Sequence, residues 1–224
     1  MSIGFKIHPR ARTVDAATVE KFKSIAVANI SDSMNRMTHG GPRLRPLHAG
    51  GVLAGVALTV KSRPGDNLMV HAALNRAKAG DVIVVDAGGD LTNAILGELM
   101  LAHAQQIGVA GVIVNGAVRD SGWIRANTLP VYAAGITHRG PYKHGPGEVN
   151  ATIAIDGMVI EPGDLIVGDD DGIVCVPFGQ TEEVFAAADK KQRGEETTMA
   201  AIKAGTVDRS WVERALKEAG CEGV

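Results

Sequence analysis

Aromatic side chains are scarce: Phe, Trp and Tyr together make up 4% of the 224 residues. Proteins that bind single-stranded nucleic acid stack bases on rings, so this scarcity argues against that partner. Charge of one sign is also missing. Lys plus Arg total 23 and Asp plus Glu total 25, a formal net charge of -2. With no long basic run either, the electrostatic footprint of a nucleic-acid binder is lacking. The cysteines are only two. Cys175 falls in an apolar strand-like run and Cys221 almost at the C-terminus, so they form neither a disulfide scaffold nor a zinc cluster. No apolar stretch is long enough to span a bilayer, and residues 1–10 hold no signal-peptide core. The expectation is a soluble, cytoplasmic protein with no membrane partner. Glycine, by contrast, is abundant at 28 residues, well above a usual share of about 7%. No three-residue period accompanies it, so it marks tight turns and close backbone approaches. The length suits one domain with a substantial core.

Apolar positions at Val19, Phe22, Ile25 and Ala26 predict a helix over 15–28. Ser31-Asp32-Ser33 then offers N-caps for a short second helix that includes Met34. After the Pro/Gly-rich stretch around Gly40-Gly41-Pro42, residues 51–60 read as a strand. Pro64-Gly65-Asp66-Asn67 reads as a turn with capping residues, leading into a helix over about 68–78. The β-branched run 81–86 is a buried strand, and the loop Ala87-Gly88-Gly89-Asp90 follows it. Beyond an ambiguous stretch to Gly97 comes a helix over 98–106, ended by Gly108. Residues 109–114 read as the next buried strand, with 115–120 at or beyond its end. Strand, helix and strand of this kind form a βαβ unit with a right-handed crossover. Shorter strands are predicted at 131–133, 149–155, 165–167 and 173–176, and closing helices at 181–191 and 210–218. The fold class is α/β: a single domain over 1–224 whose central mixed sheet contains the βαβ unit and is flanked by helices.

In open α/β sheets the ligand crevice lies outside the carboxyl ends of the parallel strands. Three features of the βαβ unit converge there. The loop after its first strand is glycine-rich. The helix starting near Gly97-Glu98 leaves the N–H groups of Leu99 and Met100 without a partner inside the helix, a ready anion site. The second strand ends near Arg119-Asp120. Together they offer a helix end for a carboxylate, a guanidinium for bidentate recognition, and two acids, Glu98 and Asp120, as hard oxygen ligands. That set suits a small keto acid with Mg²⁺ or Mn²⁺. The plain alternative is a surface loop carrying a local Arg119–Asp120 ion pair.

The segment from Gly97-Glu98 to Arg119-Asp120 resembles the 4-hydroxy-4-methyl-2-oxoglutarate aldolase family, which also holds proteins named regulator of ribonuclease activity A. The family hallmark is an acid, twenty intervening residues and then Arg-Asp, as in Glu98, residues 99–118, Arg119 and Asp120 here. The likeness extends to Ile30-Ser-Asp-Ser-Met34, Pro64-Gly-Asp-Asn67, Pro162-Gly-Asp164 and Gly168-Asp-Asp-Asp-Gly-Ile-Val-Cys-Val-Pro177, covering roughly residues 25–180. The resemblance implies a swivelling-domain-like α/β/α sandwich. It implies that Asp120 binds the divalent metal directly and Glu98 holds metal-bound waters. Arg119 would meet the keto oxygen or enolate of a small 2-oxo acid, and the amides of Leu99 and Met100 its carboxylate. Some members carry Asp at the position of Glu98, which bears on the water shell and the choice of metal. Members are homotrimers or homohexamers with sites between subunits, so the helices from about 181 are expected at subunit contacts. Glu195 and Glu196 are candidates for an acid that reaches a neighbour's site.

The chemistry so implied is retro-aldol cleavage or decarboxylation that leaves a pyruvate enolate. Its substrates would be 4-hydroxy-4-methyl-2-oxoglutarate and oxaloacetate. The proton on the 4-hydroxyl would go to a metal-organised water. A Schiff-base mechanism through Lys61 is the first rival, although a lysine ending a strand is usually exposed. A second function class is a regulator that binds and inhibits an endoribonuclease. Asp169-Asp170-Asp171-Gly172 reads first as a hairpin turn and second as a cation site. His138-Arg139-Gly140-Pro141 reads as a solvated turn in preference to a substrate contact. His103 and His71 read as structural residues on their helices.

Overall fold

The structure is a computed structural model that describes residues 3–38 and 41–224, so Gly40 of the Pro/Gly-rich stretch lies outside the described residues. Its elements run β1 (Phe5–Ile7), α1 (Ala16–Phe22), α2 (Val27–Ser33), β2 (Arg45–Pro46), β3 (Leu53–Ser62), α3 (Leu68–Leu74) and β4 (Asp81–Asp86). They continue with α4 (Glu98–Gln106), β5 (Gly111–Val118), α5 (Ser121–Arg125), β6 (Val131–Ile136), β7 (Gly147–Val149), β8 (Ile153–Ile155) and β9 (Met158–Ile160). The chain closes with β10 (Leu165–Asp169), β11 (Gly172–Val176), α6 (Thr181–Lys203) and α7 (Ser210–Glu218).

Among the described residues one sheet runs β1-β7-β3-β4-β5-β6-β2, with β10 also on β3 and β11 beyond it, while β8 and β9 pair apart. The four strands β3 to β6 are parallel neighbours, whereas β7, β10 and β2 join antiparallel, so the sheet is mixed. The expected βαβ unit is β4–α4–β5, with Asp86 level with Asn115 across the pair. Parallel strands covered on both faces read as continuous apolar runs, which is why β4 stands out so clearly in the sequence.

Side chains alternate between the two faces along a strand. Leu58, Val60, Ile83, Val85, Val112 and Val114 meet the buried residues of α3, α4 and α5 on one face. Val56 continues that face, and with Leu165, Val167, Val174 and Val176 it packs against α1, α2 and α6. Ala57, Val82, Val84 and Ile113 point the other way, onto Ile153, Ile155, Met158 and Ile160 of β8 and β9. The single α/β domain with a mixed sheet is therefore as expected. The sandwich differs at its second face, where the β8–β9 hairpin stands in place of helices.

Several local expectations are corrected. The single helix over 15–28 is two, α1 and α2. Ser31-Asp32-Ser33 ends α2 instead of starting a helix, and Met34 is its C-cap. The break is tertiary in origin. Ala26 N–H donates to Gln192 and Val27 N–H to the Asp169 carboxylate, at 3.0 and 2.9 Å. The strand over 149–155 is split into β7 and β8 at Asn150, whose φ is 58°. β5 runs on to Val118, so Asn115 lies inside it, and α6 continues twelve residues past the expected end, to Lys203.

Candidate functional site

The carboxyl ends of β3, β4 and β5 share one edge of the sheet, and the chemistry-bearing residues gather there. The segment before α4 lies alongside the end of β5: Ile95 N–H donates to Ala117 and Arg119 N–H to Leu96, at 2.8 and 3.0 Å. This brings Gly97 beneath the Arg119-Asp120 pair. A Cβ on Gly97 would sit 2.2 Å from Asp120 Oδ2 and 2.7 Å from Arg119 Cγ, so only glycine leaves the Asp120 carboxylate where it is. Asp120 adopts the left-handed conformation, φ 58° and ψ 39°, which costs an L-residue roughly 1–2 kcal/mol. That turn aims its carboxylate back at the start of α4, where Oδ2 accepts the Glu98 N–H at 2.9 Å. The ion pair with Arg119 of the plain alternative is present but long, at 3.7 Å. The helix contact is the shorter of the two, and both side chains stay about 40% exposed.

The two amides expected to lack a partner differ. Met100 N–H donates to Gly97 O at 3.2 Å, closing a tight first turn, so of the two amides Leu99 N–H is the open one. Beside it lies a cleft of about 300 Å³ lined by Asn67, His71, Leu99, Met100, Arg119 and Lys143, with Leu96, Gly97, Gly140 and Pro141 completing the wall. No carboxylate is among these lining residues, and Arg119 and Lys143 make the cleft cationic. A larger cavity of about 470 Å³ lies at the opposite end of the strands, around the Arg10–Asp81 ion pair, and holds none of the expected site residues.

Asn67, His71 and Lys143 are the residues that sequence reasoning missed. Asn67 is buried. Its amide N–H donates to Ile95 O at 2.9 Å, while Oδ1 has no partner among the described residues. A buried acceptor left so costs about 1–3 kcal/mol, which a donor bound in the cleft would relieve. His71, expected as a structural residue on its helix, also lines the cleft. Burial, and then the charge of Lys143, hold its imidazole below the ordinary range. The Pro64-Gly-Asp-Asn67 turn was the one available signal. Asp66 within it is buried, and its carboxylate accepts Leu68 N–H at 2.9 Å and His144 N–H at 2.7 Å. It thus fastens the Lys143 segment to the start of α3. Nothing local marks Lys143 itself.

The other candidates separate cleanly. Lys61 is exposed on β3, level with Asp86 and Glu148 on its neighbours, and lies outside the cleft lining. Asp169 and Gly172 close the β10–β11 hairpin as a turn, with Asp169 occupied in capping α2. Gly140 and Pro141 line the cleft, whereas His138 and His103 are exposed. Glu195 accepts from the Asn29 side chain at 2.9 Å within its own chain, and Glu196 is exposed. No helix among the described residues is long and apolar enough to cross a membrane.

A divalent ion is implied by the resemblance, and the donors fit it. Asp120 and Glu98 are hard oxygen donors at one helix start, and no cluster of three His, Cys, Asp or Glu ligands occurs among the described residues. Mg²⁺ is held in this way, through one or two carboxylates with waters and substrate completing the shell.

Residues 27–175 match the RraA-like family model, described as Aldolase/RraA. A protein of Halalkalibacterium halodurans named "Putative 4-hydroxy-4-methyl-2-oxoglutarate aldolase" is 39% identical over 199 residues, 88% of this chain and 95% of that protein. Two solved structures share the fold. Streptomyces coelicolor RraAS2, titled an unusual member of the RNase ES inhibitor RraA family, has a TM-score of 0.77 and 26% identity over 84% of this chain and 98% of that one. The RNA-processing inhibitor RraA of Thermus thermophilis has a TM-score of 0.62 and 31% identity over 68% of this chain and 92% of that one.

Proposed function

The chain belongs to the RraA-like family, and from that premise we propose that it is a divalent-metal-dependent carbon–carbon lyase acting on small 2-oxo acids in the cytoplasm. It cleaves 4-hydroxy-4-methyl-2-oxoglutarate-type substrates to pyruvate and also decarboxylates oxaloacetate. One observation carries the reading: a cationic cleft lined by Arg119, Lys143 and the start of α4 abuts an Asp120 carboxylate fastened to that same helix start. The name of the Halalkalibacterium relative supports it.

The substrate carboxylate sits at the start of α4, where the open Leu99 N–H and the helix dipole favour negative charge. Met100 N–H can share its hydrogen between Gly97 O and the same carboxylate, as first-turn amides do. Breaking the bond beside the 2-oxo group moves an electron pair toward the keto oxygen. Arg119 meets that charge most strongly as it develops, which is what lowers a barrier. Mg²⁺ or Mn²⁺, when bound by Asp120 directly and by Glu98 through water, supplies Lewis-acid charge at the same place. Asn67 Oδ1 accepts a hydrogen bond from the bound substrate or an ordered water. Lys143 balances the second carboxylate of a dianion. With no carboxylate in the lining, the proton on a 4-hydroxyl leaves to water. The exposed Lys61 plays no part.

The test is pyruvate release from both substrates, with Mg²⁺ or Mn²⁺ and again with EDTA, for wild type and Asp120→Ala after subtraction of the metal-only rate. Turnover is expected to vanish with EDTA and to fall at least about 100-fold in the variant. Borohydride with pyruvate should trap no lysine adduct. Metal-independent turnover, or an active Asp120→Ala, would overturn the reading. The names of the two solved relatives favour a second reading, a regulator that binds and inhibits an endoribonuclease. An inactive wild type that pulls down an endoribonuclease equally well with Asp120→Ala would establish that reading instead.

A further inference from the structure

The residues that line the cleft from the 140–143 side sit on a surface loop, and a loop at a binding site needs something to hold it. On the inside that is Asp66. On the outside it is β1, which precedes residues 27–175, the span matched to the family. β1 lies parallel on β7 at the edge of the sheet, with Phe5 level with Gly147 and Ile7 with Val149. It is fastened past its end as well: His8 N–H donates to Val149 O at 2.9 Å, the Asn150 side chain donates to His8 O at 2.9 Å, and the His8 ring meets Glu148 at 3.2 Å.

This register lays the Phe5 ring on Gly145. A Cβ built there would lie 3.2 and 3.4 Å from two ring carbons of Phe5 and 3.7 Å from Leu68 Cδ2. Gly145 takes a left-handed φ of 66° and is buried despite its place in a loop. It is two residues from Lys143, and Leu68 is the residue after Asn67. The ring therefore lies where the Gly145 turn and Leu68 come together, each within two residues of a residue that lines the cleft. Asp66 joins the same two segments, accepting from Leu68 N–H and from His144 N–H, the residue before Gly145. Apolar cover over backbone–carboxylate hydrogen bonds keeps water from competing for them and strengthens them.

We propose that Phe5 on β1 is a positioning residue for the 2-oxo acid cleft, pressing the Lys143 segment against the start of α3. The proposal rests on the reading of that cleft as the substrate site. Phe5 touches no reacting atom; it acts through Lys143 and Asn67. It is also 45% exposed and stands apart from the core, so its replacement leaves the fold intact.

The experiment compares Phe5→Ala and the conservative Phe5→Leu with wild type as full-length proteins, by hydrogen exchange and by steady-state kinetics on oxaloacetate. In Phe5→Ala the amides of 142–147 should exchange about tenfold faster or more, with those of β4 and β5 unchanged. KM should rise about fivefold with kcat within about twofold, the signature of lost substrate positioning without lost chemistry. Phe5→Leu should restore most of both. Unchanged exchange over 142–147, or faster exchange with an unaltered KM, overturns the proposal. A wild type that neither turns over oxaloacetate nor binds oxalate in the presence of Mg²⁺ overturns the lyase reading. The exchange data then still decide whether Phe5 holds the segment.

Discussion

At Gly97 a single hydrogen atom separates an assembled site from a broken one. Gly97→Ala must push the Asp120 carboxylate away, because the new methyl would lie 2.2 Å from Oδ2. The carboxylate can swing out, so stability should fall only by about 1–3 kcal/mol, as for other overpacked sites. Activity should fall far more, because the contact with the Glu98 N–H is lost; paired thermal melts and pyruvate assays would read both. His71 gives a second residue-scale prediction. Burial and then Lys143 lower its pKa, so its NMR titration midpoint should lie below 6.5, and Lys143→Ala should move it upward. As pH falls past 6.5 the unfolded chain takes up the proton first, so His71 weakens the native state until its own folded pKa is passed. Glu98, Arg119 and Asp120 were legible in the sequence because each sits where a helix starts or a strand ends, and those boundaries carry local signals. His71 and Lys143 were not. They meet at the cleft only because a loop returns to α3 from some seventy residues away, and no local pattern records such a return.

Elements were readable where their cause was local. The β-branched run of β4, the Gly97 start of α4 and the Gly108 stop need no partner to be seen. The start of α2 was invisible, because the groups that cap it, Asp169 and Gln192, lie 142 and 166 residues away in sequence. Asp169→Ala should therefore destabilise the protein by about 1 kcal/mol, as other lost N-caps do, and denaturant melts would measure it. Joined elements show the same logic through pH. Burial pushes the Asp66 carboxyl up, but the backbone N–H groups of His144, Leu68 and Gly145 outweigh it and hold it below 3.8. Its folded value is depressed, so the stability it contributes is complete above the unfolded value of about 3.9. That stability is lost as pH falls below this value and through the folded pKa. Asp66→Asn should cost about 2 kcal/mol at pH 7, with the gap from wild type constant down to about pH 4 and narrowing below it. A gap independent of pH would show that the carboxylate charge is not what binds α3 to the 142–144 segment.

At the scale of the whole molecule the unfinished part is the C-terminal arm. The first half of α6 is anchored by Thr181, Val184 and Ala188, but from Arg193 to Ala200 every residue is exposed, and α7 buries no residue at all. Yet α7 is strongly amphipathic: Trp211, Val212, Ala215 and Leu216 fall on one face, and Met199 and Ile202 are exposed on α6. A helix with an apolar stripe is stable only when that stripe is covered. We propose that the homotrimer or homohexamer implied by the resemblance would supply the cover, with the arm of one copy laid on the next. Because Glu195 is tied to Asn29 in its own chain, Glu196 is the freer of the two acids to reach a neighbour. Trp and Leu side chains supply much of the energy of such interfaces, so Trp211→Glu with Leu216→Glu should give monomers by light scattering while circular dichroism keeps the secondary structure. Activity separates two forms of the idea. If sites lie between subunits, the monomer loses turnover although Arg119 and Asp120 are untouched; if each chain holds a whole site, the rate per chain survives. A wild type that is itself monomeric would leave the stripe uncovered and refute the assembly.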